Sequence, residues 1–161
     1  MLEGGEDPRF IARRLIISAS EDIGNADPRG LTVAVAAMQA VDFIGMPEAR
    51  ISLAQATTYL ASAPKSNASY LAVDEALADV RSGRVQPVPE HLKNVHVKAQ
   101  EKAAAPAYKY PHDYPSTAVA QPYLTIPKRY YRPKAVGYEE TIAKRLDWMN
   151  AQKKKSQEPH T

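Results

Sequence analysis

The sequence predicts an all-α fold: a compact bundle of four or five helices with a long Pro- and Tyr-rich extended segment wrapped over it. Three observations carry that prediction. Apolar residues recur at helical spacing through the first half of the 161-residue chain. Asp-Pro pairs and glycines punctuate that half as helix starts and stops. The chain also holds 26 alanines, which favour helix and let backbones approach closely.

Asp7 followed by Pro8 reads as an N-cap with proline at the first helical position, where its missing N–H costs nothing. Ile11, Leu15 and Ala19 then share one face, and this helix is expected to end near Gly24. Asp27 and Pro28 repeat the device for a second helix over about 28–44, with Leu31, Val35, Met38 and Val41 on its apolar face and Gly45 at its end. Ser52 is expected to cap a third helix, with Gln55 reaching back as in a capping box, and Pro64 stops it. Ser66 caps a fourth, whose face is Tyr70, Val73, Leu77 and Val80, and Gly83 ends it. These helices make residues 1–83 a bundle. Residues 84–137 change texture: eight of the 13 prolines fall between Pro87 and Pro133, and proline prevents long helices there. So long a stretch without helix is normally functional, disordered or packed by its own side chains, and seven of the nine tyrosines, Tyr108 to Tyr138, favour packing. A last helix is expected over 138–155, with Ile142, Leu146 and Met149 on one face and packing on the same domain; 156–161 should be a frayed tail.

Charge divides the chain. Residues 1–83 carry 7 Lys and Arg against 11 Asp and Glu, whereas residues 84–161 carry 14 against 7. A basic half rich in tyrosine suits a phosphate backbone and stacked bases, with Lys128, Arg129 and Arg132 as the candidate DNA-contacting cations. The competing reading is a solvated basic surface whose tyrosines pin an extended segment onto helices, and the tyrosine spacing, which matches no nucleic-acid module, favours it. With no cysteine, the chain offers no disulfide, thiolate nucleophile or cysteine-ligated metal. No apolar run approaches the ~20 residues of a membrane span, and Glu3, Glu6 and Asp7 do not suit a signal peptide, so an intracellular, cytoplasmic protein is expected.

Searched for chemistry, the sequence yields little. It contains no GxxxxGK[ST] phosphate loop, GxSxG elbow, HExxH pair or EF-hand loop, so no catalytic, cofactor-binding or metal-ligating residue is assigned. The order His91, His96, His112–Asp113, Asp147 is that of the H…HD…D ligand set of metal-dependent phosphohydrolases, a remote alternative. Pro111 and Pro115 hold His112–Asp113 extended, however, and the spacing of His91 and His96 misses helical i,i+4 alignment. His112 and Asp113 are expected instead to hydrogen-bond backbone and neighbouring tyrosines. Glu21 and Asp22, adjacent on a helix, diverge by roughly 100° and cannot converge on one substrate atom; an ion pair or cap with Arg13, Arg14 or a subunit neighbour is expected. Lys65 could hold a phosphate at a helix start; a turn in which Ser66 or Asn67 caps the helix is the favoured reading.

The string of motifs Gly4-Gly5-Glu6-Asp7-Pro8-Arg9, Ile11-Ala12-Arg13-Arg14, Ala19-Ser20-Glu21-Asp22-Ile23-Gly24 and Ala26-Asp27-Pro28-Arg29 resembles the C-terminal region of the replication-associated recombination protein A family. These are the bacterial MgsA/RarA ATPases, related to the eukaryotic Werner helicase-interacting protein. The resemblance continues through Ala63-Pro64-Lys65-Ser66-Asn67, Ala76-Leu77-Ala78-Asp79-Val80, Pro89-Glu90-His91-Leu92, Tyr108-Lys109-Tyr110-Pro111-His112-Asp113 and Tyr130-Tyr131, covering nearly the whole chain in order. It departs at Gly30, where the family usually has alanine, at Ala103–Ala107 and at Ser116–Thr117.

The resemblance implies a fragment of a clamp-loader-like AAA+ ATPase, its collar-like helical C-terminal region, which assembles the subunits into a homotetramer. ATP and Mg²⁺ would then belong to a module upstream of Met1. The parent would be a DNA-dependent ATPase at stalled replication forks, with single-stranded or forked DNA and single-strand DNA-binding protein as partners and no membrane. Structural or interface roles fall to Arg13, Arg14, Glu21, Asp22, Asp27, Lys65, Ser66, Asn67, Tyr108, Tyr110, His112, Asp113, Tyr130 and Tyr131.

Overall fold

The computed structural model describes residues 1–93, 108–114 and 118–155. Among them the fold is all helical, with five α-helices and no strand: α1 Pro8–Ser18, α2 Arg29–Ile44, α3 Ala49–Ser62, α4 Ala68–Arg81 and α5 Tyr138–Lys155. The Ala103–Ala107 and Ser116–Thr117 segments, His96 and the 156–161 tail lie outside the described residues. Close contacts group the chain into two units, Met1–Ala76 with Tyr130–Ala143, and Leu77–Arg129 with Lys144–Thr161.

The first unit is built around α1, α2 and α3. Asp7 caps α1 as its sequence predicts, its carboxylate accepting the Arg9 N–H at 2.8 Å. Regular α-turns stop at Ser18, and the chain continues as a wider π-type turn over Ala19–Ile23 and a 3-10 turn over Gly24–Ala26. That wide turn drives both Ala19 and Ile23 into the core, at 1% and 0% exposure. The buried stripe of α2 is Gly30, Ala34, Ala37 and Val41; of the expected face Val41 is buried, Val35 and Met38 are half-buried at its edge, and Leu31 is left exposed. The difference follows from size. Small residues let α2 close on α3, whose stripe is Ala49, Leu53, Ala56 and Leu60. At Gly30 an added Cβ would come within 3.3 Å of Leu60 and 3.4 Å of Ile23. Two buried clusters result: Ala12, Val41, Ala49 and Leu53, and Ala19, Ile23, Ala34 and Leu60.

The capping box at Ser52 does not form. The Gly45 carbonyl accepts the Ala49 N–H at 2.9 Å, which starts α3 a turn earlier and leaves Ser52 inside it. Ser66 does cap α4, its Oγ accepting the Ala68 N–H at 3.2 Å. Gly83, at φ +79°, closes the C-terminal end with its N–H on the Val80 carbonyl at 3.1 Å. The periodic face of α4 faces solvent: Tyr70, Val73, Leu77 and Val80 are 42–59% exposed, while the helix buries Ala68 and Asp79.

In the second unit the described non-helical residues are tied by side chains. The Gln86 amide pairs in both directions with the Ile126 backbone (3.0 and 2.5 Å), and the Gln121 amide does the same with Lys109 (3.0 Å each way). Proline supplies no N–H, so a backbone ladder is hard to build here, and glutamine amides take its place. The short turns Glu90–Leu92 and Pro111–Asp113 are 3-10.

Candidate functional site

A polar cluster in the first unit centres on Glu139, whose side chain is fully buried in the first turn of α5. Its carboxylate accepts three hydrogen bonds: Ser66 Oγ at 2.8 Å, Tyr131 OH at 2.9 Å and the Lys134 N–H at 2.6 Å. Asn25 Nδ2 donates to the Tyr131 oxygen and to Ser69 Oγ, each at 3.2 Å, and Lys134 Nζ reaches Asn67 Oδ1 at 2.7 Å. Burial pushes the Tyr131 phenol up; the Asn25 bond opposes this and Glu139 adds to it, leaving the pKa above its ordinary value. One carboxylate thus fastens the start of α4, the start of α5 and the 130–134 stretch. Gly137 makes the approach possible: at φ +56°, an added Cβ would stand 2.2 Å from the Ala26 carbonyl oxygen.

A second anchor in the same unit is Asp27, 8% exposed, which accepts Tyr59 OH at 2.6 Å and Arg29 Nε at 3.0 Å. Burial alone would raise its pKa, but the bonds from Arg29 and Tyr59 outweigh it and hold the carboxyl below the usual range. The third is Asp79, in the second unit at 5% exposure, gripped by Arg84 at 2.9 Å and by Lys128.

Several residues singled out from sequence take other parts. Lys65 does not face outward for phosphate: its Nζ donates to the Leu60 and Ala63 carbonyls, at 2.5 and 2.9 Å, and closes the end of α3. Asp22 accepts Ser18 Oγ at 2.6 Å, and among the described residues no ion pair joins Glu21 or Asp22 to Arg13 or Arg14, which are exposed on α1. The reason is geometric, since Ser18 is one helical turn from Asp22 and needs no long side chain to be ordered. His112 is exposed with its ring 5.1 Å from that of Tyr110, and the Asp113 N–H donates to the Tyr110 carbonyl at 3.1 Å; Asp113 and Tyr108 are exposed too. Among the described residues no group of three or more His, Asp or Glu could hold a metal ion. Arg132 forms an ion pair with Glu75 at 2.7 Å, which raises its pKa, and also donates to the carbonyl of the half-buried Tyr130 at 3.3 Å.

Sequence reasoning missed Glu139, Asn25 and Asp79 as anchors. A carboxylate in a helix's first turn has an ordinary role at the N-terminus, and the residues it binds are remote in sequence, so only the Ser66 and Tyr131 ends were legible. Large apolar side chains are also left uncovered where α2 meets α3: Phe43 is 94% exposed, Ile44 53%, Met46 46% and Ile51 62%. No helix among the described residues is long and apolar enough to cross a membrane.

Comparison with known proteins follows the same residues. The family profile described as MgsA AAA+ ATPase C terminal matches residues 1–150. An uncharacterized AAA domain-containing protein of Mycobacterium tuberculosis is 52% identical over 155 residues, 94% of this chain and 34% of that protein. Replication-associated recombination protein A of Bacillus subtilis is 47% identical over 150 residues, 91% of this chain and 35% of the relative. Its Escherichia coli namesake is 41% identical over 161 residues, 97% and 36% respectively. The chain therefore spans about a third of the length of these relatives.

Proposed function

The chain belongs to the family of C-terminal regions of MgsA AAA+ ATPases, and from that premise we propose that it is the self-assembly region of such an ATPase, a collar-like domain that joins identical subunits into a homotetramer. The observation that carries this reading is the uncovered apolar surface over 43–51. Phe43 at 94% exposure, with Ile44, Met46 and Ile51, is a costly surface for a solitary subunit and a favourable one for a neighbouring copy. Two of the relatives are named for replication-associated recombination. On this reading the parent is a DNA-dependent ATPase of the cytoplasm that works on single-stranded or forked DNA at replication forks, together with single-strand DNA-binding protein. ATP and Mg²⁺ are handled by the remaining two thirds of the parent, and the 161-residue chain alone hydrolyses no ATP.

Light scattering coupled to size exclusion, over a concentration series, tests the assembly. A mass that climbs toward four subunits supports it, and a monomer at every concentration rejects it. A colorimetric phosphate-release assay, with and without oligonucleotide, tests the division of labour.

A further inference from the structure

We propose that the apolar face of α4 is a second self-contact, on which α4 of another copy of the chain packs antiparallel about a twofold axis. The inference rests on the self-assembly reading above and gives it a surface and a register. Tyr70, Val73, Leu77 and Val80 follow one another at three- and four-residue steps and are 42–59% exposed, while Ala68 and Asp79 are buried on the opposite side of the helix. The stripe runs for about 15 Å along one helix. An ordinary surface helix turns its larger apolar residues inward. In α4 the inward side carries Ala68, Ala72 and Ala76, and the bulk points out.

Two observations select a second copy as the occupant. The first is charge. Asp74 and Arg81, both exposed, stand two helical turns apart on one edge of the stripe, and the Tyr70 hydroxyl donates to the Asp74 carboxylate, which orders it. When identical helices pack antiparallel about a twofold axis, the same edge of each meets. An axis midway between Asp74 and Arg81 therefore sets Asp74 of each copy against Arg81 of the other. In that register Leu77 lies beside its own symmetry mate, and Val80 packs between Val73 and Leu77 of the other copy. A wholly basic partner helix would meet Arg81 with like charge, and a wholly acidic one would meet Asp74. The second observation is symmetry. A closed tetramer built on twofold axes needs two different self-complementary faces. The apolar surface over 43–51 supplies one, and used alone it stops at a dimer.

Three measurements on the 161-residue chain test this. Leu77→Glu with Val80→Glu should halve the mass found by light scattering, from four subunits to two, with helicity unchanged by circular dichroism. Asp74→Arg or Arg81→Asp alone sets like charges together and should weaken self-association roughly 5-fold for two exposed pairs, whereas the two combined should restore it. The chain has no cysteine, so Leu77→Cys places one thiol per subunit beside the axis. Mild oxidation should link it into dimers on a non-reducing gel, and Arg13→Cys, on α1, should stay unlinked. A tetramer that survives the double glutamate variant, a charge swap that fails to rescue, or a Leu77→Cys chain that does not link overturns the α4 contact while self-assembly stands. A wild-type chain that stops at two subunits leaves the stripe to the rest of the parent and overturns it as well. A wild-type monomer at every concentration overturns both.

Discussion

Glu139 shows how much one side chain can organise. Its buried carboxylate serves three donors, and an amide in its place would offer one acceptor oxygen and turn an NH₂ toward a hydroxyl or a backbone N–H. Glu139→Gln should therefore cost about 2–3 kcal/mol, the scale of hydrogen bonds to a charged group, read as a lower urea midpoint with unchanged m. Asp27 gives a pH signature. Its folded pKa lies below the ordinary carboxylate value of ~3.9, so its contribution is fully present above that value and disappears as pH falls through the depressed one. The stability gap between wild type and Asp27→Asn, measured by urea unfolding, should be constant above about pH 5 and shrink below about pH 4. At this scale the sequence exposed local bonds well: Asp7, Asp27 and Ser66 each accept the N–H two positions on, from Arg9, Arg29 and Ala68. It could not expose pairs such as Asn25 with Tyr131, because nothing in a short window relates residues 106 positions apart.

Helix existence was legible, since 3.6-residue periodicity and Asp-Pro or Gly punctuation are local properties. Helix facing was less so. On α2 the expected face is right at Val41 and at its edge Met38, but it is centred too far toward Leu31, because alanine and glycine fill the space against α3. On α4 the periodic apolar face is exposed, a pattern that a window of sequence cannot tell from a buried one. Two glycines separate turn chemistry from packing. Gly137→Ala places a Cβ against the Ala26 carbonyl in a left-handed backbone and should cost more than about 3 kcal/mol. Gly30→Ala meets only side-chain atoms at 3.3 and 3.4 Å and gains about 1 kcal/mol of helix propensity, so its net effect should stay within about 1 kcal/mol of zero. Thermal unfolding of both variants, side by side, checks the contrast.

For the whole molecule, the decisive measurement is mass in solution. Replacing Phe43 and Ile51 together by Asp should leave helicity intact and lower the apparent mass at equal concentration; a tetramer unaffected by the pair would move the self-contact elsewhere on the chain. The first unit carries a further consequence for how the protein is made. It draws on Met1–Ala76 and on Tyr130–Ala143, with more than fifty residues between them, and its central carboxylate binds Ser66 from 73 positions away. During synthesis α1 to α3 can collapse as soon as they leave the ribosome, but Asn25 must wait for Tyr131, and Ser66 for Glu139, to be translated. Such long-range closure slows folding. A nascent chain stalled at residue 129 should be sensitive to protease near Ser66, and one stalled far enough beyond residue 143 to release α5 from the exit tunnel should be protected there.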